Sequence, residues 1–174
     1  MAKSGSSGTE PASIHASAVL VGARAILIRG AAGSGKSRLA LALIEAAETG
    51  LLRFARLVAD DRTYVQAVHG RLLARPAEML AGLIEVRGLG VRRLPFEPLA
   101  VVGLVVDLGA GASERLPQSS TASLAGVAVP RLAVAPGCDP LPIVLATLTT
   151  MAAEGSQEGR HDLHVNPMGA PDHI

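Results

Sequence analysis

Eight consecutive residues carry the clearest chemistry in this chain. Gly30-Ala31-Ala32-Gly33-Ser34-Gly35-Lys36-Ser37 fits the spacing G-x-x-x-x-G-K-[ST]. Glycines in such a loop let backbone N–H groups curl round phosphate oxygens, and the N-terminus of a following helix adds positive potential. Lys36 can reach β- and γ-phosphates, and the Ser37 hydroxyl can ligate Mg²⁺. The expected ligand is a nucleotide with Mg²⁺. Of 16 basic residues only Lys3 and Lys36 are lysines, so Lys36 stands out against an arginine-rich background. The motif says what binds and leaves open what is done with it.

A phosphate loop needs an acid at the end of a nearby strand, for the metal or for proton transfer. Two segments offer one: Leu57-Val58-Ala59-Asp60-Asp61 and Leu104-Val105-Val106-Asp107. Their spacing does not decide between them. The adjacent pair Asp60 and Asp61 suits a metal-plus-base task better, because one carboxylate can hold Mg²⁺ while its neighbour accepts a proton. Adjacent carboxylates are also ordinary solvated turn residues.

The elements around these residues have the right order. Two β-like runs, residues 14–21 and 25–28, predict a hairpin before the loop. Residues 37–47 (SRLALALIEAA) predict a helix after it, with Leu39, Leu43 and Ile44 on one side. A short strand at 57–59 ends in the acidic pair. A second hairpin, 64–68 with 71–74, turns at His69-Gly70. Pro76 can open a short helix over 76–80. Glu85 and Arg87, two apart on a predicted strand, could form a cross-strand charge ladder, with Gly88 and Gly90 marking a tight turn. Residues 99–108 read as a buried strand and 109–113 as a loop. A further strand is predicted over 128–135 and a closing helix over 141–153. The fold class is α/β of P-loop type, a central mixed sheet flanked by helices. Residues 1–11 read as a flexible tail, 12–153 as one P-loop domain, and 154–174 as a loose polar tail.

Composition excludes several classes. At 174 residues there is little room for a second domain. Hydrophobic residues make up 49% and charged residues 18%, enough for a core and against global disorder. Aromatics at 2% and a net charge of +1 argue against a nucleic-acid binder, which needs stacking rings or a basic face. Cys138, the one cysteine, excludes an internal disulfide framework and a multi-cysteine zinc site. No stretch approaches the roughly 20 apolar residues of a membrane span, and the N-terminus has no apolar signal-peptide core. The expected compartment is the cytoplasm. His161, His164 and His173, with Asp162 and Asp172, have no standard metal-site spacing.

Several segments together resemble one family. These are His15, the loop from Gly30 to Ser37, Leu57-Val58-Ala59-Asp60-Asp61, Ile84-Glu85-Val86-Arg87-Gly88-Leu89-Gly90 and Glu114-Arg115-Leu116, in that order. The chain resembles the catalytic domain of HPr kinase/phosphorylase, the bifunctional regulator of the bacterial phosphotransferase system, over roughly residues 14–148. The resemblance implies an HPr kinase catalytic-domain-like fold and a Mg-ATP-dependent serine kinase acting on the phosphocarrier HPr. It implies that His15 is the catalytic histidine, Lys36 the phosphate-loop lysine and Ser37 a metal ligand. Asp61 becomes the base that activates the target serine, and the acid in the reverse, phosphorolytic reaction. Glu85 becomes a second metal ligand, with Asp60 beside it, and Arg115 the catalytic arginine. Without the family, His15 reads as a surface or capping residue and Arg115 as a loop arginine.

Departures from the family temper these expectations. Only about a dozen residues precede the first strand, so the N-terminal domain of the longer members is expected to be missing, as in alphaproteobacterial short forms. Residues 48–56 form a longer link after the helix. The family's P-G-R-N-like segment reads Pro136-Gly137-Cys138-Asp139 here, which removes a cation where phosphate or partner would be handled. Phosphorolysis is therefore expected to be weaker than kinase action, and Cys138 to be a small filler. The C-terminal helical segment is short, which leaves a homo-oligomer open. Two rival readings are a nucleotide-binding regulatory module with little catalysis and a P-loop kinase for a small molecule. The chain has no arginine-rich lid insertion of the length that the small-molecule reading needs.

Overall fold

A computed structural model describes residues 10–110 and 120–150. They form eleven strands and two α-helices: β1 (Ala12–Ile14), β2 (Ala16–Val21), β3 (Arg24–Arg29), α1 (Lys36–Glu48), β4 (Ala55–Ala59), β5 (Thr63–Val68), β6 (Arg71–Pro76), β7 (Leu83–Val86), β8 (Gly90–Arg93), β9 (Ala100–Leu108), β10 (Ser120–Leu124), β11 (Val127–Val134) and α2 (Pro140–Thr149). The architecture is the mixed α/β arrangement expected from the sequence.

Strand β3 is central because its sequence allows nothing else. Ala25, Ile26, Leu27 and Ile28 are all buried, apolar toward both faces of the sheet. It pairs antiparallel with β2 and parallel with β9. Beyond β2 lies β4, antiparallel to β2, and beyond β9 lies β11, parallel to it. Thus β4, β3, β9 and β11 run one way, with β2 reversed among them. The first half of β9 pairs instead with β6, which continues through β5 to β1. The sheet curls because β9 serves two partners along one edge.

Each face of the sheet has its own core. One is alanine-rich and lies inside the curl, with Ala16, Ala18, Leu27, Val58, Ala59, Val65 and Val105 among its members. The other packs α1, through Leu39, Ala40, Leu43 and Ala46, against Val19, Ile26, Ile28, Leu57 and Val106. Helix α2 adds Val144, and Ile84 plugs the β7–β8 hairpin into the same core. No helix among the described residues is long and apolar enough to cross a membrane.

Several local expectations change. Residues 14–21 are not one run, because the chain bends at His15 between β1 and β2, which pair with different neighbours. Pro76 closes β6, and the helical turn is a 3₁₀ turn over Glu78–Leu80. Glu85 and Arg87 do not share a strand, since β7 ends at Val86 and Arg87 lies in the turn to β8. Strand β10 had no signal in its Ser-Thr-Ala-Ser stretch and exists because it can add to the edge of β11. Helix α2 begins at Pro140 and ends at Thr149. Residues 1–9, 111–119 and 151–174, which hold Arg115, the histidines of the C-terminal tail and most of both expected tails, lie outside the described residues.

Asp107 settles into a structural role. Arg29 donates to both its carboxylate oxygens, at 2.7 and 2.8 Å, and Arg131 donates from the other side. The three residues tie the carboxyl ends of β3 and β9 to the middle of β11. Burial pushes the Asp107 carboxyl up, but the hydrogen bonds and charges of Arg29 and Arg131 outweigh it, and its pKa lies below the ordinary 3.8. A depressed carboxyl stabilises the fold above its unfolded pKa, and that stabilisation is lost as pH falls through its folded value. Asp107→Asn is therefore expected to cost about 2 kcal/mol at neutral pH, between the values for exposed and buried pairs. Urea titrations should find the wild-type midpoint dropping as pH falls below about 4, with a shallower drop in the variant.

Candidate functional site

The topology brings the predicted residues to one edge. The carboxyl ends of β3 and β4 and the amino end of the reversed β2 all meet there. From β3 comes the Gly-rich loop, from β4 the acidic pair, and before β2 stands His15. Ligands of open α/β sheets bind outside the carboxyl ends of strands.

The loop is built for an anion. Gly30 has φ 153°, and a Cβ there would meet Ser34 Oγ at 2.5 Å and the Leu108 carbonyl oxygen at 2.9 Å. Only glycine lets the chain pass so close to the end of β9. Gly35 caps α1 in the left-handed region, with φ 97° and no side-chain hydrogen bond to the helix. The first-turn N–H groups thus have no capping side chain, the arrangement that receives phosphate oxygens. Ser34 Oγ is buried without a hydrogen-bond partner among the described residues, a donor that a phosphate-binding loop can use. Lys36 is buried, and its ammonium donates to the carbonyls of Gly30 and Ala31 at 3.1 and 3.0 Å, which holds the charge across the loop. These features fit a nucleotide's phosphates.

The acidic pair divides its work. Asp60, 4% exposed, accepts from Ser37 Oγ at 2.8 and 3.0 Å on its two oxygens, from Ser17 Oγ at 2.5 Å and from the Glu85 backbone N–H at 3.2 Å. Asp61 points out, with 71% of its side chain exposed, and its carboxylate lies 3.0 Å from His15 Nε2. A β-bulge earlier in β4 sets the direction of Asp60. Ala18 pairs with Ala59 and Val19 with Leu57, leaving Val58 as an extra residue on β4. Val58 and Ala59 both face the inner core while Leu57 faces α1. That shift of one residue turns Asp60, which strict alternation would aim inward, toward α1 and Ser37. Asp61 follows with φ 63°, and the Arg62 N–H bonds the Asp60 carbonyl at 2.7 Å, a γ-turn of the strained, positive-φ kind. Strain of this sort is retained where function needs a side chain aimed.

Glu85 lies at the end of β7, and with Arg87 it lines the same cleft of about 670 Å³ as His15, Lys36, Ser37 and Asp61. Cys138 lines it too, and Asp139 is spent as the N-cap of α2, accepting from the Leu141 N–H at 3.2 Å. The cleft thus gathers His15, Gly33, Ser34, Gly35, Lys36, Ser37, Asp61 and Glu85, with Asp60 bonded to Ser37 and Gly30 at the start of the loop. Ser37, Asp60 and Glu85 supply hard oxygens of the kind Mg²⁺ takes. Among the described residues no three His, Cys, Asp or Glu side chains converge into a metal cage, so such an ion would rely on phosphates and water as well. Ser17 is the contributor that sequence reading missed, because a lone serine in an apolar strand carries no motif.

Comparison with known proteins bears on the family and the fold. The family model described as HPr Serine kinase C-terminal domain matches residues 8–94, half of the chain. An HPr kinase/phosphorylase of Streptococcus thermophilus is 42% identical over 83 residues, which are 47% of this chain and 25% of that protein. Another, of Clostridium beijerinckii, is 40% identical over 78 residues, 45% of this chain and 24% of the relative. The chain thus matches about a quarter of the length of these curated relatives. A solved structure, the Hpr(Ser) kinase/phosphatase from Coxiella burnetii, superposes with a TM-score of 0.64 at 26% identity, covering 79% of this chain and 93% of that one. The family match falls on the segment that carries the phosphate loop, the acidic pair and the β7–β8 hairpin, and the chain belongs to the HPr serine kinase C-terminal domain family.

Proposed function

We propose that the chain is a Mg-ATP-dependent protein serine kinase whose acceptor is the phosphocarrier HPr. One observation carries the reading. An exposed carboxylate, Asp61, stands against His15 at the mouth of a phosphate loop whose serine is already held by a different carboxylate, Asp60. One acid is committed to the loop and the other is free for proton transfer.

ATP would supply the γ-phosphoryl group and Mg²⁺ would offset charge on its phosphates. The chain's own residues have separable tasks. The loop N–H groups and Lys36 bind and orient the phosphates, and Lys36 counters charge on the transferred group. Ser37 and Glu85 would hold the ion, with Asp60 fixing the Ser37 hydroxyl. Asp61 accepts the proton of the attacking serine hydroxyl, a weak nucleophile without such help. His15 Nε2 keeps that carboxylate aimed. The family's catalytic arginine is assigned to Arg115 on its sequence match alone. Phosphorolysis, with Asp61 returning its proton as an acid, is proposed to be weak, because Cys138 brings no cation to the cleft.

Two outcomes are expected. Purified HPr incubated with the protein and Mg-ATP should gain label on its target serine, and an HPr whose serine is alanine should gain none. Absence of serine-dependent label with nucleotide binding intact would overturn the kinase reading. Asp61→Asn should lower the phosphorylation rate at least about 100-fold while binding a fluorescent ATP analogue like wild type. Lys36→Ala should weaken that binding itself, so the two variants separate chemistry from affinity in a titration.

A further inference from the structure

Asp60 holds Ser37 with both its oxygens, and one further donor to that carboxylate lies outside every motif. Ser17 sits on β2, three strands' width of sheet being shared by β4, β2 and β3 at this point. It is completely buried. Its neighbours on the strand, Ala16 and Ala18, face the inner core, whereas Ser17 shares the α1 side with Val19. Its hydroxyl donates to Asp60 Oδ1 at 2.5 Å. The start of β2 is itself pinned, because buried Thr63 Oγ1 donates to the Ala16 carbonyl at 2.7 Å.

Buried polar groups are costly unless paired, so a serine among apolar strand residues needs a reason. Apolar packing at this position would be met by alanine or valine. What serine adds is one donor. Asp60 Oδ1 then accepts from Ser17 below and from Ser37 beside it, while Oδ2 accepts from Ser37 and the Glu85 N–H. The Ser37 proton is thereby committed to Asp60, which leaves the lone pairs of the Ser37 oxygen for a cation.

We infer that Ser17 is a positioning residue, which sets the affinity of the loop for the divalent cation by fixing Asp60 and, through it, the Ser37 hydroxyl. The inference rests on the nucleotide-and-metal reading of this cleft and deepens it. Groups that orient metal ligands are commonly worth 10- to 100-fold in metal affinity or activity.

The test compares wild type with Ser17→Ala, Ser17→Val and Ser17→Thr, using binding of a fluorescent ATP analogue with excess EDTA and across a Mg²⁺ titration. Both hydroxyl-free variants should raise the Mg²⁺ concentration for half-maximal tightening about tenfold. Their affinity in EDTA should match wild type, and Ser17→Thr should restore the Mg²⁺ response. Valine fills the position that alanine leaves open, so a folding defect in one variant leaves the other to report. A wild-type Mg²⁺ response in a folded Ser17→Ala or Ser17→Val, or equal loss in EDTA and in Mg²⁺, would overturn the inference alone. Nucleotide binding by wild type that ignores Mg²⁺ would overturn the metal reading of the cleft together with it.

Discussion

Asp60 is one buried carboxylate shared by four elements. It leaves the end of β4 and accepts hydrogen bonds from β2, from the first turn of α1 and from β7. A charge this far from water is tolerated only when its oxygens are well supplied with donors. Each partner therefore has to arrive where it does. Helix α1 must start beside β4, the β7–β8 hairpin must fold back over the loop, and β2 must present a hydroxyl rather than a methyl group. Cleft geometry and internal stability meet in the same contacts.

Three carboxylates near the sheet's edge have the same chemistry and different fates. Asp107 is paired with Arg29 and Arg131 and fastens the three neighbouring strands β3, β9 and β11. Asp60 is spent on hydroxyls and an amide. Asp61 is the exposed one, next to an imidazole. Partner identity, rather than intrinsic acidity, sorts them into clamp, loop anchor and proposed base.

The reversed strand β2 accounts for His15. In a wholly parallel sheet the residue before a strand lies at the amino edge, away from the ligand side. Because β2 runs against β3 and β4, its first residues start at their carboxyl ends, and the bend between β1 and β2 leaves His15 beside Asp61. Sequence order thus places histidine 15 residues before the loop, while topology makes them neighbours.

Features set by near neighbours were legible in the chain itself. The loop from Gly30 to Ser37, the helix after it, the hairpin at His69-Gly70 and the apolar strand up to Leu108 depend on local propensity and spacing, and each appears in the fold within a residue or two. The gathering of His15, Lys36, Asp61 and Glu85 could be anticipated only through family resemblance, since nothing local links them. Which acid serves the loop was likewise readable only through that resemblance, because the local pattern points the other way. Asp60 and Asp61 differ by one position, and alternation along β4 would send Asp60 into the inner core. One bulge residue, Val58, reverses that parity, and it exists because β4 must match β2 while meeting two cores. Ser17 and the Arg29–Asp107–Arg131 clamp were hidden for the same reason: their partners lie 24 to 78 residues away, and only the folded sheet brings such distances within a hydrogen bond.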